Sequence, residues 1–328
     1  MRIKLLRFKL ALLFLLIGLT ATGCSLPKFS LFPEAGPLKE TTIQGSGTEK
    51  ILVLPVNGVI SSQGQERLLR SAPSLVERVM TQLKHAEKDS SIKAVLLKVD
   101  SPGGSVTASD ILYHEILAYK KRTGVKIVVA MMNVAASGGY YISLPADWIV
   151  AHPTTVTGSI GVIFARPGMS GLMEKTGLAM EVSKSGEQKD MGSPFKPPTE
   201  KERAIFQELT DTLAKRFFNL VIQHRKLDPD QQQQIETARI FLPEDAKKLG
   251  LIDQIGYLTD AIEKARELAG LGPDARVITL RRQESEDDTI YNPSSRKANG
   301  GLNDTAALLN PLRVFPETGF YYMWPAAF

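Results

Sequence analysis

Three apolar, β-rich runs alternate with stretches of helical spacing, and that alternation restricts the chain to an α/β fold built on mostly parallel strands. The runs are Ile51–Val56, Ala94–Val99 and Val125–Met131. They lack the polar–apolar alternation of a half-exposed strand, so each is expected to be buried on both faces. Between them, residues 74–88 place Leu75, Val79 and Leu83 on one helical face, and residues 107–120 place Ile111, Leu112, Ile116 and Leu117 on another. Farther on, the spacing predicts helices over 200–226, 243–249 and 258–268, the last two stopped by Gly250 and Gly270, and a final strand over 276–280.

The N-terminus is of another kind. Arg2, Lys4, Arg7 and Lys9 precede an apolar run from Leu10 to Leu19, followed by Ala21-Thr22-Gly23-Cys24. A basic segment, a short apolar core and a small-residue zone read as an export signal over residues 1–23. The apolar run is short for a bilayer span, which needs about 20 residues. Cys24 is the only cysteine, so no internal disulfide can form. Its place after Ala-Thr-Gly is similar to the lipidation site of bacterial lipoproteins, with Ala21 where leucine is usual. A retained N-terminal membrane helix is the alternative, and both put the body outside the cytoplasm, membrane-anchored on the periplasmic side of a bacterial envelope.

Residues 24–50, rich in Pro, Gly, Ser and Thr, are expected to be a flexible tether, residues 51–282 one catalytic domain, and residues 283–328 a flexible polar linker with an apolar tail. Such a tail is expected to dock, either on a neighbouring copy's groove or on its own body. Residues 1–23 hold four basic residues and no acid, so their removal takes the formal charge from +5 to +1. A nearly neutral body gives a nucleic-acid partner no electrostatic support.

Two glycine corners carry the chemistry. Ala136-Ser137-Gly138-Gly139-Tyr140 follows a buried run and opens a short helix, which exposes Ser137 at a strand-to-helix turn with the N–H of Gly138 beside it. Asp100-Ser101-Pro102-Gly103-Gly104 follows another buried run and offers further N–H donors. It lacks the lysine and the spacing of a phosphate-binding loop. A serine nucleophile needs a base. The four histidines, His85, His114, His152 and His224, have no motif around them, although a Ser–His arrangement is defined by geometry and stays open. A lysine base must be neutral, so burial has to bring its pKa from about 10.4 to about 7, at roughly 4 kcal/mol. Lys175, Lys184, Lys189 and Lys196 all lie downstream, and composition does not choose among them.

Asp100–Val106 (DSPGGSV), Ala136–Ile142 (ASGGYYI), Thr157–Val162 (TGSIGV) and Lys189–Pro194 (KDMGSP) together resemble the SppA-type signal peptide peptidases, in order and in spacing, over residues 51–268. The resemblance implies a ClpP/crotonase-like fold of stacked parallel sheets with flanking helices, in a short form with one copy of the motifs. It implies a Ser-Lys dyad with Ser137 as nucleophile, Lys189 as base, Ser159 orienting the lysine, and the N–H groups of Gly138 and of Gly103 or Gly104 as oxyanion hole. It further implies no metal or cofactor, cleavage of hydrophobic peptides such as leftover signal peptides, and a ring-like homo-oligomer in which one copy's lysine serves its neighbour's serine. Two other readings use the same residues: a crotonase-like acyl-thioester enzyme, and a catalytically silent envelope lipoprotein that scaffolds partners.

Overall fold

The apolar runs become central strands of a large sheet, where burial on both faces removes any need for polar alternation. A computed structural model describes residues 36–67, 70–282, 289–291 and 318–325. Residues 1–23, Cys24 and most of 283–328 lie outside them. Along the chain come β1 (Lys39–Gln44), β2 (Lys50–Asn57), β3 (Gln65–Arg67), β4 (Arg70–Ala72), α1 (Leu75–Ala86), β5 (Ile92–Ser101), β6 (Gly103–Ser105), α2 (Val106–Thr123), β7 (Lys126–Ala136) and α3 (Gly138–Tyr141). There follow β8 (Trp148–Ala151), β9 (Val156–Gly158), β10 (Ile163–Ala165), α4 (Ser170–Thr176), α5 (Glu200–Arg225), α6 (Pro229–Ile235), β11 (Ile240–Phe241), α7 (Pro243–Lys248), β12 (Gln254–Ile255), α8 (Leu258–Ala269), β13 (Arg276–Arg281) and β14 (Gly319–Met323). Among the described residues no helix is long and apolar enough to cross a membrane.

The large sheet runs β1-β13-β2-β5-β7-β8-β12, with β9 beside the far end of β7 and β11 beside β9. Strands β13, β2, β5, β7, β8 and β12 are parallel, as the alternation with helices requires, and β1 closes one edge antiparallel to β13. One face is covered by α1, α2 and α5 through Val79, Leu83, Leu112, Ile116, Phe217 and Val221. The other is covered by α8 through Leu258, Ala261, Ile262 and Ala265, packed on Ile51, Leu96 and Val128. The stripe expected on α2 needs one correction. Ile111 is 38% exposed, and the buried face runs through Ala108, Leu112, Ile116 and Tyr119. A smaller sheet, β10-β14-β6, is antiparallel throughout.

The folded body starts before Ile51. Residues of the expected tether form β1, and Lys50 at the start of β2 donates to Glu40 of β1 and to Asp89 ahead of β5, each at 2.8 Å. Burial would raise the Asp89 carboxyl, but the hydrogen bonds from Lys50 and Ser91 outweigh it and hold the pKa at about 2. A carboxyl depressed in the folded state stabilises above its unfolded pKa, near 3.9, and loses that contribution as pH falls through about 2. Asp89→Asn is therefore expected to lower the melting temperature at pH 6 and to flatten its decline between pH 4 and pH 2. Thermal melts across that range check it, and an unchanged slope would remove Asp89 from the explanation of acid sensitivity.

Candidate active site

Both glycine corners lie where the large sheet changes partners. The first half of β7 pairs with β8 and its last three residues pair with β9, so the strand bends between Met131 and Val134. The β5–β7 ladder shifts register at the same level. The bend is held by side chains that satisfy the backbone groups it frees. Asp100 accepts from the N–H of Val134 at 3.1 Å and from Asn133 Nδ2 at 2.9 Å. The buried hydroxyl of Thr155 donates to Met131 O, and that of Thr157 to Ala135 O. The bend aims the end of β7 at β6.

Ser137 sits at that end, followed at once by α3. Its φ of 52° and ψ of −114° lie outside the regions open to most side chains, a conformation seen at functional turns. Its N–H donates to Gly158 O at 2.8 Å, and its carbonyl accepts from Tyr141 N at 2.8 Å. The residue is 1% exposed, and its buried Oγ has no hydrogen-bond partner. Ser159, with φ 51°, follows the glycine that anchors Ser137, and its N–H donates to Arg239 O at 2.9 Å. The strand ends of β7 and β9 therefore bring Ser137 and Ser159 side by side.

The two glycine corners meet. A Cβ on Gly103 would lie 2.7 Å from Gly138 N and would overlap the carbonyl oxygen of Tyr322, and Gly103 has φ +102°. A Cβ on Gly104 would overlap Ile60 O. Only glycine lets the backbones approach this closely. Of the pair, Gly103 has its N–H engaged by the buried Ser101 Oγ at 3.1 Å, and Gly104 is paired with Tyr322 in the β6–β14 ladder.

Ser137 Oγ has no partner, so no histidine hydrogen-bonds it. His224 Nε2 is paired with Tyr113 OH at 2.9 Å, and His152 Nδ1 with Thr154 Oγ1 at 2.9 Å. The lysines are separated by their ion pairs. Lys184 Nζ meets Asp190 Oδ1 at 3.0 Å, and Lys196 Nζ meets the same oxygen at 2.9 Å and Glu202 Oε1 at 2.6 Å. The hydrogen bonds to Glu202 and Asp190 raise the Lys196 pKa, which disfavours the neutral amine a base needs. Lys189 lies between them on an exposed loop and makes no side-chain ion pair among the described residues. The structure thus leaves Lys189 available but does not bring it to Ser137 of the same chain.

Sequence reasoning missed three participants. Ser101 and Asp100 were visible only as turn residues, although a serine two positions ahead of the glycine it serves is a known turn signal. Tyr322 was legible only as part of an apolar tail expected to dock, because its partner strand lies far back at Gly103–Ser105. Among the described residues no group of three or more His, Cys, Asp or Glu could hold a metal ion.

A family model described as "Peptidase family S49" matches residues 119–272, and one described as "Clp protease" matches residues 70–150. A protein of Enterococcus faecium described as "Putative signal peptide peptidase SppA" is 39% identical over 287 residues, covering 86% of this chain and 81% of its own. "Protease 4" of Salmonella typhi is 38% identical over 191 residues, covering 58% of this chain and 31% of its own. "Serine protease SPPA, chloroplastic" of Arabidopsis thaliana is 30% identical over 258 residues, covering 78% of this chain and 37% of its own.

The Ser101 hydroxyl gives a direct check on the corner. Ser101→Ala would leave the Gly103 N–H buried and unpaired, at a cost of about 1–3 kcal/mol. Urea unfolding should show a loss of that size, and wild-type stability would mean that Gly103 finds another acceptor.

Proposed function

We propose, for a chain that belongs to peptidase family S49 and is a serine-type peptidase of ClpP/crotonase-like fold, that Ser137 and Lys189 form its catalytic dyad and that the dyad is completed between copies. The observation that carries this reading is the Ser137 hydroxyl: buried, strained and unpaired, beside the N–H of Gly138 and the Gly103–Gly104 corner. An unpaired buried hydroxyl is costly, and a catalytic role is one reason for a protein to keep it.

In the proposed reaction Ser137 Oγ attacks the scissile carbonyl and its proton passes to neutral Lys189 Nζ. The oxyanion is held by the N–H groups of Gly138 and Gly104. The tetrahedral species collapses as the lysine returns the proton to the leaving amine, which gives an acyl-Ser137. Water then attacks this ester, losing its proton to Lys189, and the acid product departs as the serine is regenerated. In this reaction Ser159, next to the glycine that anchors Ser137, has the role of orienting the arriving amine.

A shared site is supported by the surface that carries Lys189. Leu172, Leu178, Met180, Val182 and Phe195 are 57%, 66%, 55%, 49% and 40% exposed on the stretch from α4 to the start of α5. Apolar exposure on that scale marks an interface, and a second copy seated there would deliver Lys189 to Ser137 while covering it. We further propose that the peptidase is held at the bacterial envelope through Cys24, faces the periplasmic side, and cleaves hydrophobic peptides such as leftover signal peptides.

The assignment predicts that a fluorophosphonate labels Ser137 alone. Ser137→Ala and Lys189→Ala should each lower peptide hydrolysis by about 10³-fold or more, with an unchanged melting temperature. Peptide mapping of the labelled protein and steady-state rates decide it. Full activity in Lys189→Ala would remove the lysine from the mechanism.

A further inference from the structure

The segment that carries Ser159 is gripped by the stretch leading into β11. Ile240 and Phe241 pair with Gly158 and Thr157, and the N–H of Ser159 donates to Arg239 O at 2.9 Å. A Cβ on Gly158 would lie 2.5 Å from the Phe241 ring, and one on Gly161 would lie 2.6 Å from the Ala238 Cβ. The two backbones are therefore in close contact. Ala238 enters this contact with φ 53°, a left-handed conformation uncommon for a residue with a side chain. The Arg239 guanidinium is fixed in turn, with Cζ 4.5 Å from the centre of the Phe241 ring.

Ser159 and Arg239 line one cavity of about 350 Å³, bounded also by Val162, Ile163 and Trp324. Arg239 is the one charged residue among those lining it: the turn from β9 to β10 and the end of β14 bring no charge, and Glu236 does not reach it. Arg216 is paired with Asp110 and Arg225 with Asp253, but among the described residues no carboxylate pairs with Arg239, which is exposed. Beside it Ile240 and Leu242 are 39% and 60% exposed. The stretch that carries Lys189 is apolar and exposed as well, and the charges around that lysine compensate one another. Glu187 pairs with Lys201, Asp190 with Lys184 and Lys196, and Glu202 with Lys196, while Arg166 donates to the carbonyls of Ser193 and Lys196.

We propose that this cavity receives Lys189 of a neighbouring copy and that Arg239 is a positioning residue for the dyad, a fixed positive charge that keeps the arriving amine neutral. The inference rests on the reading in which Ser137 and Lys189 are shared between copies. An amine beside Ser159 in a space of this size lies within roughly 8 Å of the guanidinium, close enough for like charges to repel where water is displaced. The repulsion acts on the ammonium and not on the amine, so it favours loss of the proton and adds to the effect of burial. Arginine suits the task because it stays charged at any working pH. A compensated loop then meets an uncompensated cation, and the charge that remains at the junction has the sign a lysine base needs.

The pH profile of peptide hydrolysis by the full chain tests this. A lysine base gives kcat/KM an acidic limb, and without the Arg239 charge the lysine holds its proton to higher pH. Arg239→Gln is expected to move the limb up by about 1 pH unit, so that kcat/KM at a given pH on the limb falls about tenfold and most of the loss is recovered on the alkaline plateau. Arg239→Lys, which keeps a charge, should move it less than half as far. A limb that stays in place in folded Arg239→Gln, or a loss equal at every pH, would overturn the inference while leaving the dyad intact. Lys189→Ala measured alongside separates the two: full activity there would overturn the dyad and this inference with it. Should Arg239→Gln not fold, Arg239→Met, which keeps the packing on Phe241, is expected to give the same shift, and an unmoved limb overturns the inference equally.

Discussion

The close approach of two backbones at Gly103 and Gly138 is the contact on which the site depends. No side chain fits on either residue: a Cβ on Gly103 would lie 2.7 Å from Gly138 N, and one on Gly138 would lie 2.5 Å from Ser109 Oγ. That contact sets the end of β5 against the end of β7, and both strands are already fixed by their places in the parallel sheet. The bend in β7 is its complement. Asp100, Thr155 and Thr157 take up the backbone groups the bend frees, so the strand can leave β8, join β9 and present Ser137 at the corner. The core and the chemistry are thus one construction, with buried polar side chains at the point where regular pairing stops.

Much of this was legible in the sequence. Ile51–Val56, Ala94–Val99 and Val125–Met131 are apolar, β-rich runs, and they became β2, β5 and β7 because a parallel sheet covered on both faces buries such runs. The two Gly-Gly corners were legible because each follows such a run. β9 and β11, with three and two residues, carry no period to read, and their pairing is set by the bend. β1 was hidden because its residues face solvent on an edge and resemble a linker in composition. β14 read as an apolar tail, but nothing local says that it pairs with glycines at Gly103–Ser105.

The choice of lysine shows the same division. Composition left Lys175, Lys184, Lys189 and Lys196 equal, and only resemblance singled out one. The structure separates three of them physically: Asp190 holds Lys184 and Lys196, Glu202 holds Lys196 a second time, and Lys189 stands between with its amine uncommitted. Those ion pairs also fix the loop on which Lys189 is carried. An amine presented on an apolar, exposed loop and a buried hydroxyl without a partner are complementary defects, and a second copy of the chain can satisfy both.

Subunit complementation tests that pairing most directly. Ser137→Ala and Lys189→Ala proteins are each assembled alone and then mixed after dissociation. If one copy's lysine serves another copy's serine, random mixing restores about a quarter of wild-type peptide hydrolysis, because a quarter of neighbouring pairs combine an intact serine with an intact lysine. If serine and lysine act within one chain, every subunit in the mixture lacks one of them, and activity stays at the level of the separate variants.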